Sequence, residues 1–205
     1  MLFGNTSLDV LLAAVIALLV GLTFHEFSHA LVADELGDRR PRAMGRLTLN
    51  PIPHIDPIGA VMLLIAGFGW AKPVMVNPYA LRNGPRSMWL VAAAGPAANL
   101  AVAIGFAVIY RVLDVAGVDS GFAVSLVRNV VLLNVLLALF NFIPIPPLDG
   151  YNAVLAFLPP RTAMTVQRYA PYGMLVLLLL IILPNSPLGL LFRAVSSISQ
   201  VLIGA

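Results

Sequence analysis

Cysteine is absent from all 205 residues. That removes disulfides and thiolate metal ligands together, so any metal site must be built from His, Asp, Glu or backbone oxygen. Charge is scarce as well. Only 10% of residues are charged and 60% are hydrophobic, where soluble domains run near ~25% and ~45–50%. A mean hydropathy of +0.95 points the same way. These figures exclude an ordinary soluble domain and imply an integral membrane protein. The net charge of +3 comes from scattered arginines without a dense basic run, so nucleic acid is not an expected partner. Internal repeats and low-complexity linkers are missing, which suggests one domain over 1–205. The first apolar segment has no basic region ahead of it, so no cleavable signal peptide is expected.

A spanning helix needs roughly 20 apolar residues. Four segments qualify, near 8–33, 87–113, 122–143 and 169–184. The stretch 187–205 follows a turn-like Pro184-Asn185-Ser186-Pro187 and repeats Leu188, Leu191, Val195, Ile198 and Leu202 at helical spacing, which suits an interfacial or short bundle helix. Between the first two spans, 34–86 is rich in Pro and Gly. Its one apolar run, 58–70, is too short to span and is punctuated by Gly59, Gly67 and Gly69. It reads as re-entrant or membrane-surface strands. The expected fold is an all-α polytopic bundle of about four spanning helices plus a C-terminal helix, with that short strand segment. Arg and Lys concentrate in 34–86 and 144–168, while 114–121 holds only Asp114 and Asp119 among charged residues. Basic loops stay inside, so a multi-pass protein of the cell membrane is expected, with 114–121 and the N-terminus outside.

The first apolar segment carries His25-Glu26-Phe27-Ser28-His29 near its end. Residues four apart share a helix face, so His25 and His29 can clasp one metal ion. Glu26 is placed to act as general base for water activated by that metal. Polar groups at membrane depth are costly and usually functional. A catalytic zinc commonly takes three protein ligands, and two histidines leave the set incomplete. The best remaining candidate is Asp149, in 141–150, where Pro144, Pro146 and Pro147 break the third span on the same side as the histidines. Its alternative role is to cap a following helix, 149–158. Asp34, Glu35 and Asp38 follow the motif helix in an Arg-flanked loop and read as solvated surface. His54 and Asp56 lie on the correct side, and Asp56 with Pro53 and Pro57 reads first as a turn. Asn99, in Gly95-Pro96-Ala97-Ala98-Asn99, needs partners at mid-membrane: it either binds a substrate carbonyl or ties helices together. Asn134 and Asn141 pose the same choice.

Taken together, these segments resemble the site-2 protease family of intramembrane zinc metalloproteases. The resemblance rests on 25–30, on Asn50-Pro51 with 54–59, on 95–99 and on 141–150, in the family's order over about 15–160. It implies one zinc per chain held by His25, His29 and Asp149, with Glu26 as the catalytic glutamate. It also implies that Asn99 assists the substrate or the oxyanion. Asn141 is a further candidate for substrate binding. The implied substrate is a single-span transmembrane protein, reached through the lipid bilayer and cut near the cytoplasmic face, often a membrane-tethered regulator. The chain departs from many relatives in showing no span before the motif helix and no PDZ or CBS domain. Two alternatives stay open: a membrane metallopeptidase for soluble peptides, and a metal-binding membrane protein without hydrolysis. The second leaves Glu26 without a task.

Overall fold

The computed structural model describes residues 8–66, 69–183 and 186–204. Helix α1, Leu8–Glu35, carries the histidine motif in its last third. A single turn, α2 at Arg40–Ala43, and α3, Pro57–Ala66, follow. Two long helices come next, α4 at Met88–Val115 and α5 at Phe122–Asn141. The chain then forms α6, Asp149–Leu155, α7, Pro160–Arg168, α8, Gly173–Ile182, and α9, Leu188–Ile203. Three helical stretches, Leu8–Glu35, Gly84–Val115 and Phe122–Asn141, are long and apolar enough to cross a membrane. The pair Pro160–Arg168 and Ala170–Ile182, bent by 43°, makes a fourth if it counts as one broken span. The architecture is that of a multi-pass membrane protein.

Small residues bring the three long helices together. Ala13, Ala17 and Gly21 recur every fourth position on one buried stripe of α1, and Ala103 and Ala107 do the same on α4. Backbones can approach closely along such stripes, the usual basis of packing where hydrocarbon gives no hydrophobic drive. The expected C-terminal helix forms and belongs to the bundle. Val195 packs with Ala103 and Val135, and Ile203 with Ala107 and Val131. Arg111 donates to Val201 O and Leu202 O at 2.7 and 2.8 Å, which satisfies the carbonyls at the end of α9. Of the turn expected at 184–187, Pro184 and Asn185 lie outside the described residues, as does Gly67.

The expected strand segment is not what forms. Pro57–Ala66 is helical, and the described residues contain only an isolated bridge between Ile55 and Ala71. Asp56 explains the difference. Its Oδ1 accepts from Ile58 N and Gly59 N, both at 2.9 Å, and Pro57 occupies the first helical position. That is a helix start, and the residues after it are mostly good helix formers. After α3, residues 69–77 run without helix and with no strand beyond the bridge at Ala71. The segment folds back so that Lys72 N donates to His54 O at 2.8 Å, and Arg46 Nη1 donates to Lys72 O at 3.0 Å.

Glu35 is exposed as expected, but Asp34 at the end of α1 and Asp38 just after it are not solvated. Asp34 and Asp38 are each 1% exposed. Arg39 and Arg42 close on Asp34, while Arg40 and the Asn77 backbone N–H close on Asp38. The arginines fold back over the carboxylates, so the charged loop becomes a clamp holding 77–82 to the end of α1. Arg82 N completes it, donating to Leu36 O at 2.7 Å.

Candidate metal centre

α1 delivers His25 and His29 to the same face, one turn apart, and both are buried. Their Nε2 atoms lie 3.0 Å apart. Asp149, the first residue of α6, brings its Oδ2 to 3.0 Å from His25 Nε2 and 3.2 Å from His29 Nε2. The proline-rich turn after α5 sets that position. Gly150 allows it, because a Cβ there would meet the backbone of Phe142 and Ile143.

The other ring nitrogens are already committed. His25 Nδ1 lies 2.7 Å from Asn99 Oδ1, and His29 Nδ1 lies 2.7 Å from Val91 O. Both partners are acceptors, so both Nδ1 atoms carry the proton, and in the neutral rings both Nε2 atoms present lone pairs. Asp149 Oδ2 is buried without a hydrogen-bond partner. Three unprotonated acceptors thus converge on one point, which is costly unless a cation joins them. Ligands ~2.0–2.1 Å from a tetrahedral zinc sit roughly 3.3 Å from one another, close to these separations. Gly95 of α4 supplies the remaining space: a Cβ there would lie 2.7 Å from His25 Nε2 and closer still to His29 Nε2. Two imidazoles, one carboxylate and a void kept open by a glycine fit zinc with one position left over. Among the described residues, these three are the group of His, Asp and Glu able to share a metal ion.

Glu26 is buried beside the group, and its Oε2 accepts from Val74 N at 3.1 Å. Asn99 is fully buried. Its Nδ2 donates to Gly21 O and to Asn134 Oδ1 at 3.0 and 2.9 Å, while its oxygen faces His25. Both amide hydrogens are spent, so here Asn99 orients a histidine and presents no free donor to a substrate. Asn141 donates to Leu137 O within its own helix; no hydrogen bond found among the described residues ties it to the metal group. His54 is buried, with Nε2 on Thr48 O at 2.9 Å and Nδ1 unpartnered. Val91, Val74 and Gly95 are contributors that residue type alone did not reveal, because two act through the backbone and one through its missing side chain.

The comparisons with known proteins agree with this chemistry. "Putative zinc metalloprotease YwhC" of Bacillus subtilis is 40% identical over 180 residues, covering 83% of this chain and 80% of the relative. "Putative zinc metalloprotease Rip2" of Mycolicibacterium smegmatis is 34% identical over 174 residues, 81% of this chain, which spans 65% of that relative's length. "Putative zinc metalloprotease MJ0611" of Methanocaldococcus jannaschii is 27% identical over 151 residues, 72% of each chain. No family model and no solved structure matches. With its apolar helices and His2Asp metal group, the chain matches these relatives as a membrane metalloprotease. This chain is a member of the zinc metalloprotease family that includes YwhC, and its cofactor is zinc.

Proposed function

We propose that the chain is an intramembrane protease of the site-2 type, cutting a single-span membrane protein within or near its transmembrane helix. The observation that carries this is depth. Glu26 and both histidines lie in an apolar helix of 28 residues, the start of which is 17 residues before His25. At ~1.5 Å per residue the site falls inside one boundary of a hydrocarbon core ~30 Å thick. The Arg and Lys distribution supports the cytoplasmic side for that boundary.

Zinc held by His25, His29 and Asp149 would supply Lewis-acid activation of water and polarisation of the scissile carbonyl. The protein's own groups do the rest. Glu26 takes the proton from water and returns it to the leaving amine. Asn99 and Val91 O hold the two imidazoles in the tautomer that leaves Nε2 free. Burial among α1, α4, α5 and α6 keeps bulk water off the reacting atoms.

An apolar cavity of about 290 Å³ lies between α1 and the 51–71 segment. Leu19, Leu22 and Thr23 form one wall, and Leu63, Trp70 and Ala71 another. Thr23 is three residues before Glu26 on α1, and Ala71 three before Val74, which binds Glu26. An unwound stretch of an apolar helix can lay side chains there while its peptide bond meets the base. Strand pairing with 72–74 is disfavoured, since Lys72 N, Val74 N and Lys72 O are already bonded. The test is incubation of the purified protein with a panel of tagged single-span substrates, with and without a chelator. Chelator-sensitive cleavage within the spanning segment supports the proposal. Cleavage confined to soluble peptides would replace it with the peptidase alternative.

A further inference from the structure

A chain of buried amides runs from the His25 side of the metal group to backbone carbonyls, and the carbonyls fix every proton along it. Val130 O can only accept, so the Asn134 atom 2.8 Å away is its amide nitrogen. Asn134 Oδ1 therefore faces Asn99. Gly21 O, 3.0 Å from Asn99, can also only accept. Two acceptors on that side call for the Asn99 NH2 group, one hydrogen for each. The Asn99 oxygen is then turned to His25 Nδ1, which must carry a proton. His25 Nε2 is left as a lone pair facing Asp149.

His29 needs no such chain. Its Nδ1 donates to Val91 O, a backbone carbonyl that cannot turn over. The His25 partner is an amide, whose two ends have nearly the same shape. Flipped, Asn99 would set its oxygen against Gly21 O and Asn134 Oδ1 and offer N–H to His25. The proton would then move to Nε2, and that nitrogen would cease to be a ligand. Asn99 and Asn134 are both 0% exposed, so water cannot compensate for the mismatch. Gly21 admits the contact: a Cβ there would lie 3.2 Å from Asn134 Oδ1 and 2.8 Å from Leu137 Cδ1.

We infer that Asn134 is a positioning residue for the metal: by locking the Asn99 amide it keeps the His25 proton on Nδ1 and Nε2 free. The inference takes zinc as the resident cofactor and is independent of the substrate proposed above. Its test reads metal affinity, so failure to cleave any membrane substrate would leave it standing.

The experiment measures the zinc dissociation constant of the full-length protein in detergent by chelator competition, together with the melting temperature of the metal-free form. Loss of a partner behind a metal-ligating histidine typically costs about 10–100-fold in affinity. Asn134→Ala and Asn134→Leu should each weaken zinc about 10-fold, at the low end of that range. Asn134→Asp keeps an acceptor for the Asn99 NH2 and, protonated by its burial, a donor for Val130 O, so it should restore most of the affinity. Asn129→Leu is the control. Its amide also donates to a carbonyl four residues back, Ser125 O, yet no bond links it to the site. In an Asn99→Ala background, Asn134→Ala should add nothing, since the residue acts only through Asn99. Three results would overturn the inference: wild-type affinity in a folded Ala or Leu variant, equal loss in the Asp variant, or an undiminished effect without Asn99.

Discussion

The backbone N–H of Val74 donates to Glu26 Oε2 across 3.1 Å, joining the proposed general base to a residue 48 positions later. The contact makes 69–77 one wall of the site. It fixes one carboxylate oxygen and leaves the other for chemistry. Arg46 holds the same segment from behind through Lys72 O. The pocket around the base is thus assembled from the end of α1 and a loop that the arginine clamp keeps in place.

Glu26→Gln should retain zinc and fold but lose cleavage. The amide preserves shape and still accepts from Val74 N, while the proton acceptor is gone. Removing a general base costs about 10²–10⁴-fold. Activity within a few-fold of wild type, in a variant shown by metal analysis to be zinc-loaded, would rule out Glu26 as base.

His25→Ala and Asp149→Ala should each lose most of the bound zinc. Each leaves two of the three convergent acceptors. Metal content of the purified variants decides it. Full occupancy after loss of Asp149 would move the third ligand elsewhere, with Asp56 and His54 next in line.

Gly95→Ala should behave like a ligand deletion although glycine has no side chain to lose. The added methyl would stand 2.7 Å from His25 Nε2 and closer to His29 Nε2. In contrast, Gly105→Ala in the same helix meets nothing within 4 Å. It should be neutral or stabilising by roughly 0.5–1 kcal/mol, the usual gain on replacing a mid-helix glycine. Zinc content and melting temperature of the pair check both outcomes. A zinc-replete Gly95→Ala protein would show that the void is incidental.

The Arg and Lys asymmetry predicts 34–86 inside and 114–121 outside. The chain has no cysteine, so single cysteines at Asn83 and Ser120 can be probed on intact cells with a membrane-impermeant thiol reagent. Ser120 should label and Asn83 should not. The reverse pattern would invert the topology.

Much of the metal group was legible because its central pair is local. His25 and His29 meet through helix periodicity alone, and the three prolines before Asp149 announce a break. α3 was obscured by Gly59 and by the shortness of its apolar run, although Asp56-Pro57 is a helix-start signal in its own right. The buried state of Asp34 and Asp38 was hidden because nearby arginines read equally well as a solvated face. Asn99 was visible as a polar residue at depth, but its partner was not. The contact with Asn134 spans 35 positions and depends on how closely α1, α4 and α5 approach at Gly21. Periodicity assigns residues to faces; it does not say which amide on one helix meets which on another.

The proposed substrate is a transmembrane helix unwound near the cytoplasmic face. The most direct measurement is cleavage by the purified protein of a tagged single-span substrate series in which a Gly or Pro pair near the cut is replaced by Leu or Ala, beside a water-soluble casein-like substrate. Helix-breaking residues lower the cost of unwinding, so cleavage should be fastest with the Gly or Pro pair, slower with Leu or Ala, absent with chelator and negligible on the soluble protein. Equal rates across the series, or efficient cleavage of the soluble substrate, would contradict it.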